Sequence, residues 1–292
     1  MTNPSSRNAH ICSIVFDHPP RGSPIFSTHQ DRAAGALLGL AAGDRIGGPI
    51  RMALRVAESL IDRRGYDVAD VAARYLAWWR EGAFDTGPTA GRVLRLAASG
   101  LSFDEASRRV DEEAAGMTAG CNPAHRIAPI AMCALIEDAS LSDVAEVDAR
   151  LTHRHPLAGD VAAAVACLCR ALIRGTPWPL ALQAAAVARS PVTRRGLETR
   201  PLETLSKSGF APDALAAAIH FVGTSDALAV ALERSIAFAG PSNYCPVLVG
   251  ALAGARWGAS RIENASLRHV NALLPRIQAA AAALAEGWKS EQ

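Results

Sequence analysis

Alanine-rich helical segments with recognisable ends follow one another along this chain, and they constrain its fold more than any other feature. Half of the 292 residues are apolar and only 5% are aromatic, so the core must be built mainly from Ala, Leu, Val and Ile. Alanine is the best helix former, and its small side chain lets helix axes approach closely. No alternating strand pattern extends beyond a few residues. The sequence therefore predicts an all-α fold, a compact orthogonal bundle of many helices.

Individual helices can be placed from their ends and their apolar faces. Residues 67–81 are predicted to form an amphipathic helix that Gly82 ends, and Ser102 begins a capping-box pattern. Asn122 and Thr176, each followed by proline, are predicted to cap helices. The arginine-containing stretch 190–207 is predicted to be a surface loop. Further helices are predicted from Thr28 onward and at 158–174, 225–238, 246–257 and 267–288.

Gly35, Gly39 and Gly43 repeat every four residues within the first predicted helix. Glycine has no Cβ, so the repeat leaves a groove in which a second helix can pack closely. The same spacing occurs in membrane helices, but the apolar run here is too short to cross a bilayer. The repeat therefore predicts a close helix contact within the core.

Charge and cysteine usage exclude several classes of protein. A net charge of +2 argues against a nucleic-acid binder that uses a basic face. The six cysteines show no Cys-x-x-Cys or zinc spacing, which favours reduced thiols. The sequence contains no run of about 18 apolar residues, so no membrane span is predicted. Residues 1–28 lack the apolar core of a signal peptide. We expect a cytoplasmic protein with an N-terminal extension (1–28) and one helical domain (29–292).

Six separated segments carry glycines, prolines and polar residues in a characteristic order. They lie at 35–49, 78–89, 120–129, 152–156, 208–210 and 240–258. In order and spacing they resemble the signatures of the ADP-ribosylglycohydrolase family. The resemblance implies the all-α bundle of that family, an ADP-ribosyl hydrolase activity, and a site for two magnesium ions held by aspartates and glutamate.

The chain departs from the family where the metal ligands are expected. Pro241 and Asn243 stand in place of two magnesium-binding aspartates, and Arg51 stands in place of a glutamate. Of the second metal motif only Asp85 remains as a carboxylate. Two hard cations need several carboxylates to offset their charge. Although the family implies Mg²⁺, we therefore predict no metal ligands and no cofactor for this chain.

The resemblance leaves two carboxylates, Asp85 and Asp44, as candidate catalytic residues, although each can also be explained as a helix cap. The pair His153 and His155 is better explained by packing than by metal binding. The exchange of aspartates for neutral residues predicts a neutral or basic cleft, in which arginines would hold an anionic ligand. The candidate ligand-binding residues are Arg45, Arg51, Thr86, Asn122, Arg126, Ser242 and Asn243.

Three functions remain open for such a cleft. The favoured one is a hydrolase of a ribosyl-type N- or O-glycosidic bond that works without the two magnesium ions. The second is a magnesium-dependent ADP-ribosyl hydrolase whose ligands lie elsewhere in the sequence. The third is a non-catalytic protein that binds a nucleotide-like ligand or a protein partner. Fold alone cannot choose among them, because function depends on the site.

Overall fold

Fifteen α-helices and three short 3₁₀ helices form the described part of the chain, residues 28–288 of a computed structural model. Within that range no β-strand is present, and a single isolated β-bridge pairs Gly120 with Phe210. The predicted all-α class is confirmed. The helices are α1 Thr28–Gly43, α2 Gly48–Arg63, α3 Val68–Arg80, α4 Pro88–Ala98, α5 Phe103–Glu113, α6 Asn122–His125, α7 Ala128–Met132, α8 Asp138–Arg150, α9 Pro156–Ile173, α10 Trp178–Ala186, α11 Pro191–Gly196, α12 Ala211–Gly223, α13 Leu228–Ala239, α14 Tyr244–Trp257 and α15 Leu274–Ala285.

Helices α1 and α14 pack with their backbones in contact, as the glycine repeat predicted. A Cβ added to Gly39 would lie 2.1 Å from the carbonyl oxygen of Gly250, and one added to Gly35 would lie 2.3 Å from that of Gly254. No side chain can occupy either gap, so glycine is required on both helices. This contact brings the loop after α1 next to the loop before α14.

Helix α9 is the buried centre of the bundle and contacts α1, α6, α7, α8, α10 and α14. Its 18 residues have a mean hydropathy of 1.7, so it is long and apolar enough to cross a membrane. The sequence criterion of an unbroken apolar run passes over this helix, because Asp160 and Arg170 interrupt it. Its hydropathy matches its place in the core, since 72% of its residues are buried.

Side-chain caps confirm two of the predicted helix starts and correct two others. The Asp67 carboxylate caps α3 through the amides of Ala69 and Asp70, and the Ser102 hydroxyl caps α5. Asn122 lies inside α6 and does not cap it, and α10 begins at Trp178, one residue later than predicted.

Two predicted segments are divided by local chemistry. The stretch 190–207 is not all loop, because the Ser190 hydroxyl accepts from the Thr193 amide (3.2 Å) and starts α11. A 3₁₀ turn follows at Leu202–Thr204. The predicted helix at 267–288 is split into a 3₁₀ segment, Asn264–Val270, and α15. Proline in the first turn of α15 has no amide hydrogen, so it begins a new helix there. The predicted N-terminal extension lies outside the described residues, apart from Thr28.

Candidate functional site

A cleft of about 520 Å³ opens between loops that are far apart in the chain. Its lining comes from Pro49 on α2, from 85–89, 116–117, 119–122, 209–210 and 243–244, and from His125, His153 and His155. These segments lie at the starts of α4, α6, α9, α12 and α14. Its volume falls within the roughly 300–1,000 Å³ that is usual for small-molecule sites.

Two backbone pairings hold together the walls formed by residues 119–121 and 209–211. The Cys121 amide donates to the Gly209 carbonyl (3.0 Å), and the Ala211 amide donates to the Ala119 carbonyl (2.8 Å). The ring of Tyr244 packs against Gly209, where a Cβ would lie 3.0 Å from its ring carbons. Glycine at this position therefore lets an aromatic ring form part of the wall.

Asp44 is fully buried beside the cleft, and backbone amides and one side-chain amide satisfy its carboxylate. Its Oδ2 accepts from the Ile50 amide (2.7 Å), and its Oδ1 accepts from the Gly47 amide (2.8 Å) and from Asn243 Nδ2 (2.6 Å). Asp44 thus caps α2, the structural role that the sequence left open. It is absent from the residues that line the cleft.

Asp85 is the one Asp or Glu among the described residues that line the cleft. It lies in the left-handed backbone region, with φ at 51°, which is uncommon for a residue with a Cβ. Its Oδ2 accepts from the Gly48 amide (3.4 Å). Burial raises the pKa of the Asp85 carboxyl, and the nearby charge of Asp44 raises it further, while hydrogen bonds from Gly48 and Asn243 oppose the rise.

Asn243 connects the two carboxylates through its side-chain amide and is 6% exposed. Its Nδ2 donates to Asp44, it hydrogen-bonds Asp85, and its Oδ1 accepts from the Arg45 amide (3.2 Å). The acidic pair therefore faces amide hydrogens where a cation would need lone pairs. Among the described residues, no group of three or more His, Cys, Asp or Glu is arranged to hold a metal. These donors do not fit a two-magnesium site.

Arg45 and Arg51 do not reach the cleft. Arg45 Nη2 donates to the carbonyls of Gly240 (2.8 Å) and Ser242, and these hydrogen bonds stabilise the loop before α14. Arg51 Nη1 donates to the Gly47 carbonyl (2.9 Å), and its guanidinium lies 4.7 Å from the centroid of the Phe84 ring. Arg51 and Phe84 line a separate cavity of about 190 Å³.

Arg126 is fully buried beneath the cleft and has no free path to a ligand. It donates to the Asp148 carboxylate (2.8 Å), to Asn122 Oδ1 (2.6 Å) and to the Thr152 hydroxyl (2.9 Å). The last two contacts position residues beside or within the cleft wall. No Lys or Arg lines the cleft in the described chain, so the structure does not place the arginines of the predicted neutral or basic cleft within reach of a ligand there.

His125 and His153 are neutral side chains of the cleft at pH 7. Burial lowers the pKa of His125 to about 4 and that of His153 to about 3. His125 Nε2 bonds the Tyr244 carbonyl (2.7 Å). The Thr152 hydroxyl accepts from Arg126, so its own proton can go to His153 Nδ1 (2.9 Å). In that tautomer His153 Nε2 carries a hydrogen, and this nitrogen faces Gly120 in the cleft wall (3.0 Å to its added Cβ).

Four candidate residues therefore come together in the cleft: Asp85, Thr86, Asn122 and Asn243. Asp44, Arg45 and Ser242 support its edge, Arg126 is buried beneath it, and Arg51 lines the second cavity. Sequence reasoning missed His125, Phe210 and Tyr244 as parts of the site. All three lie within or next to motifs that carried the resemblance, so adjacency to those motifs was the available signal.

Comparisons with known proteins agree with this architecture. The family model described as ADP-ribosylglycohydrolase matches residues 50–292. The ADP-ribosyl-[dinitrogen reductase] glycohydrolase of Rhodospirillum rubrum is 24% identical over 283 residues, covering 85% of this chain and 92% of that protein. A solved structure described as an ADP-ribosylglycohydrolase-related protein complex is 28% identical with a TM-score of 0.73, covering 90% of this chain and 99% of that one. The chain belongs to the ADP-ribosylglycohydrolase family.

Proposed function

We propose that this chain hydrolyses a ribosyl-type N- or O-glycosidic bond, with Asp85 as its catalytic carboxylate and without the two magnesium ions of the family. The observation that carries the proposal is the position of Asp85, the one acidic side chain among the described lining residues of a ligand-sized cleft. Its pKa is raised by burial, which makes the carboxylate a stronger base than an exposed one.

The groups around Asp85 fit this chemistry. As a carboxylate it accepts a proton from the attacking water, and its negative charge stabilises the oxocarbenium-like transition state. The hydrogen bonds from Gly48 and Asn243 hold the carboxylate in place. The Nε2–H of neutral His153, beside Gly120 in the cleft wall, supplies a hydrogen-bond donor suited to the leaving group or to a sugar oxygen.

The setting of this reaction rests on the sequence. We expect a small-molecule ligand in the cytoplasm, handled by one domain spanning 29–292 without nucleic acid or membrane. A second candidate, non-catalytic ligand binding, is favoured by one observation: glycosidases commonly use two carboxylates, whereas one lines this cleft.

Asp85→Asn separates the two candidates, because an amide keeps the shape but cannot accept a proton. Wild type should release product in EDTA from at least one member of a panel of ADP-ribosyl-arginine, ADP-ribosyl-serine, nucleosides and ribosyl phosphates. The variant should lose at least about 100-fold in kcat, the usual contribution of a general base. Asp226→Asn, a matched change at an exposed carboxylate outside the cleft, should retain full activity.

The pH dependence gives an independent check of the same group. Because the pKa of Asp85 is raised, turnover should fall as the solution is acidified through a pKa above the ordinary 3.8. Turnover that survives Asp85→Asn would remove Asp85 from the mechanism. Turnover that appears only with Mg²⁺ would favour the magnesium-dependent alternative, and ligand binding without any turnover would favour the non-catalytic one.

A further inference from the structure

The second cavity, of about 190 Å³, shares no lining residue with the cleft and has no part in the proposed hydrolysis. Its walls come from α2, from the end of α3 and the turn that follows, and from the start of α15. The lining residues are Arg51, Leu54, Arg55, Trp78, Glu81, Gly82, Phe84, Leu273 and Arg276. Three arginines and one glutamate in so small a space make its charge the feature to explain.

Positive charge exceeds negative charge around this cavity. Arg55 Nη2 donates to Glu81 (2.8 Å), the one acidic residue of the described lining. Arg276 donates twice to Glu58 (2.6 and 2.9 Å), which also lies 3.5 Å from Arg55. Two glutamates therefore serve three arginines. Arg51 is the arginine left over, because it forms no ion pair within the described chain.

Donor hydrogens on two of these arginines are unused. Arg51 Nη1 donates to the Gly47 carbonyl (2.9 Å), its one hydrogen bond among the described residues, so Nε and Nη2 keep free hydrogens. Arg55 Nε is buried and has no hydrogen-bond partner in the same part of the chain. A buried donor without a partner costs free energy that an acceptor oxygen would recover. Guanidinium hydrogens form a planar fork that matches the oxygens of a carboxylate or a phosphate.

Apolar side chains complete the cavity and limit the size of its ligand. Leu54 and Trp78 are buried, and the guanidinium of Arg51 lies 4.7 Å from the centroid of the half-exposed Phe84 ring. Charge-assisted hydrogen bonds are stronger beside such walls than in open water. The volume is below the roughly 300 Å³ at which sites for larger ligands begin, although a cavity of about 150 Å³ already holds benzene.

We propose that the second cavity is a binding site for a small oxyanion, a carboxylate or a phosphate with few further atoms. The anion's oxygens accept the free hydrogens of Arg51 and Arg55, and any apolar part of the ligand packs on Phe84 and Trp78. This site is separate from the cleft and does not depend on the proposed hydrolysis. The anion-binding role expected of Arg51 thus belongs to this cavity.

Calorimetric titration of the full chain at low salt with benzoate and, separately, with inorganic phosphate tests this site. Benzoate supplies a carboxylate and an apolar ring, whereas phosphate supplies oxygens alone. At least one probe should bind with a Kd of about 1 mM or below. Arg51→Gln should weaken that probe at least about tenfold, because a charge-assisted contact is lost. Arg80→Gln, the same change at an exposed arginine of α3 outside both cavities, should leave its affinity unchanged.

Two further variants locate the bound anion. Arg276→Gln, at a side chain that is 47% exposed, should fold normally and weaken the same probe about threefold or more, since a positive charge leaves the cavity wall. It tests the site independently if Arg51→Gln does not fold. Tyr244→Ala, which alters the wall of the cleft, should leave the affinity of that probe unchanged.

The outcomes decide both the site and the source of the oxyanion. Tighter binding of benzoate supports an organic carboxylate as the ligand, and tighter binding of phosphate supports a phosphate. No binding of either probe at about 10 mM overturns the proposal. Binding that survives both Arg51→Gln and Arg276→Gln, or that is lost in Tyr244→Ala, puts the anion outside the second cavity and also overturns it.

Discussion

Asn243→Asp tests whether an amide, and not a cation, neutralises the acidic pair. In the native protein Asn243 Nδ2 donates to Asp44 at 2.6 Å and also hydrogen-bonds Asp85. Asn243 is 6% exposed and Asp44 is fully buried. The substitution removes the donor and places a third carboxylate against two others. It changes one atom group and leaves the volume of the side chain almost unaltered.

The free energy of unfolding should fall by about 5.5 to 7 kcal/mol at pH 8 if the added carboxyl stays ionised. Loss of a hydrogen bond to a charged group removes about 1.5–3 kcal/mol, and two like charges about 4 Å apart repel by about 4 kcal/mol at an effective dielectric constant of 20. The variant can limit this loss by taking up a proton. The pKa of the added carboxyl is then raised in the folded state, so stability is retained at low pH and lost as the pH rises.

Urea unfolding at pH 5 and pH 8, in EDTA or in 10 mM MgCl₂, measures both effects. The variant should be close to wild type at pH 5 and much less stable at pH 8. Magnesium should stabilise the variant by about 1.4 kcal/mol if its concentration reaches ten times Kd, and should leave wild type unchanged. Asn264→Asp, at an exposed position, is the control.

Two results would refute this account of Asn243. One is a variant whose stability differs from wild type by less than about 1 kcal/mol at pH 8, since the predicted repulsion is several times larger. The other is wild-type protein that gains as much stability from magnesium as the variant does. In that case cations already bind the acidic pair, and the amide hydrogens do not replace them.

Two further predictions concern stability. Gly39→Ala should lose about 2–4 kcal/mol, because its Cβ would lie 2.1 Å from the Gly250 carbonyl oxygen. Gly159→Ala on α9, whose Cβ would meet Glu146 at 3.4 Å, should instead raise the free energy of unfolding by up to about 1 kcal/mol. Urea unfolding that shows equal losses for the two variants would contradict this contrast. The depressed pKa of His153, about 3, means that its neutral form stabilises the fold above pH 6.5 and that this contribution declines as the pH falls toward 3. Between pH 7.5 and pH 5, protonation of His153 should lower the free energy of unfolding of wild type by roughly 2 kcal/mol. The free energy of unfolding of His153→Gln should fall by that much less over the same range. Parallel plots of unfolding free energy against pH for the two proteins would contradict the depressed pKa.

Features that depend on local sequence were predictable. The caps at Asp67 and Ser102 follow from side chains that bond amides two or three residues away. The α1–α14 contact followed from a repeat of glycine, because only a backbone contact requires three missing side chains on one face. The same rule failed at Asn122, whose side chain bonds Arg126 and the Thr86 carbonyl instead of its own helix.

The direction of long side chains was not predictable. Arg45, Arg51 and Arg126 all lie in or next to family motifs, so sequence position favoured a common site. A guanidinium can reach several ångströms in many directions, and its choice depends on acceptors supplied by distant segments. Arg126 turned to Asp148 in the core, and Arg45 turned to carbonyls nearly 200 residues later. The structure therefore gives these arginines partners within the protein, whereas Asp85 and Asn243 both line the cleft.

The position of the acidic pair and its neutralisation are separate properties of this fold. Backbone packing sets the first, because the α1–α14 contact fixes the loops that carry Asp44 and Asn243, and Gly48 at the start of α2 lies against the backbone of Asp85. Side-chain chemistry sets the second. An amide hydrogen offsets only part of a carboxylate's charge, so Asp85 keeps a raised pKa that a nearby dication would have lowered. With the Asn243 amide beside it, Asp85 is thus a carboxylate that is better suited to accept a proton than to bind a cation.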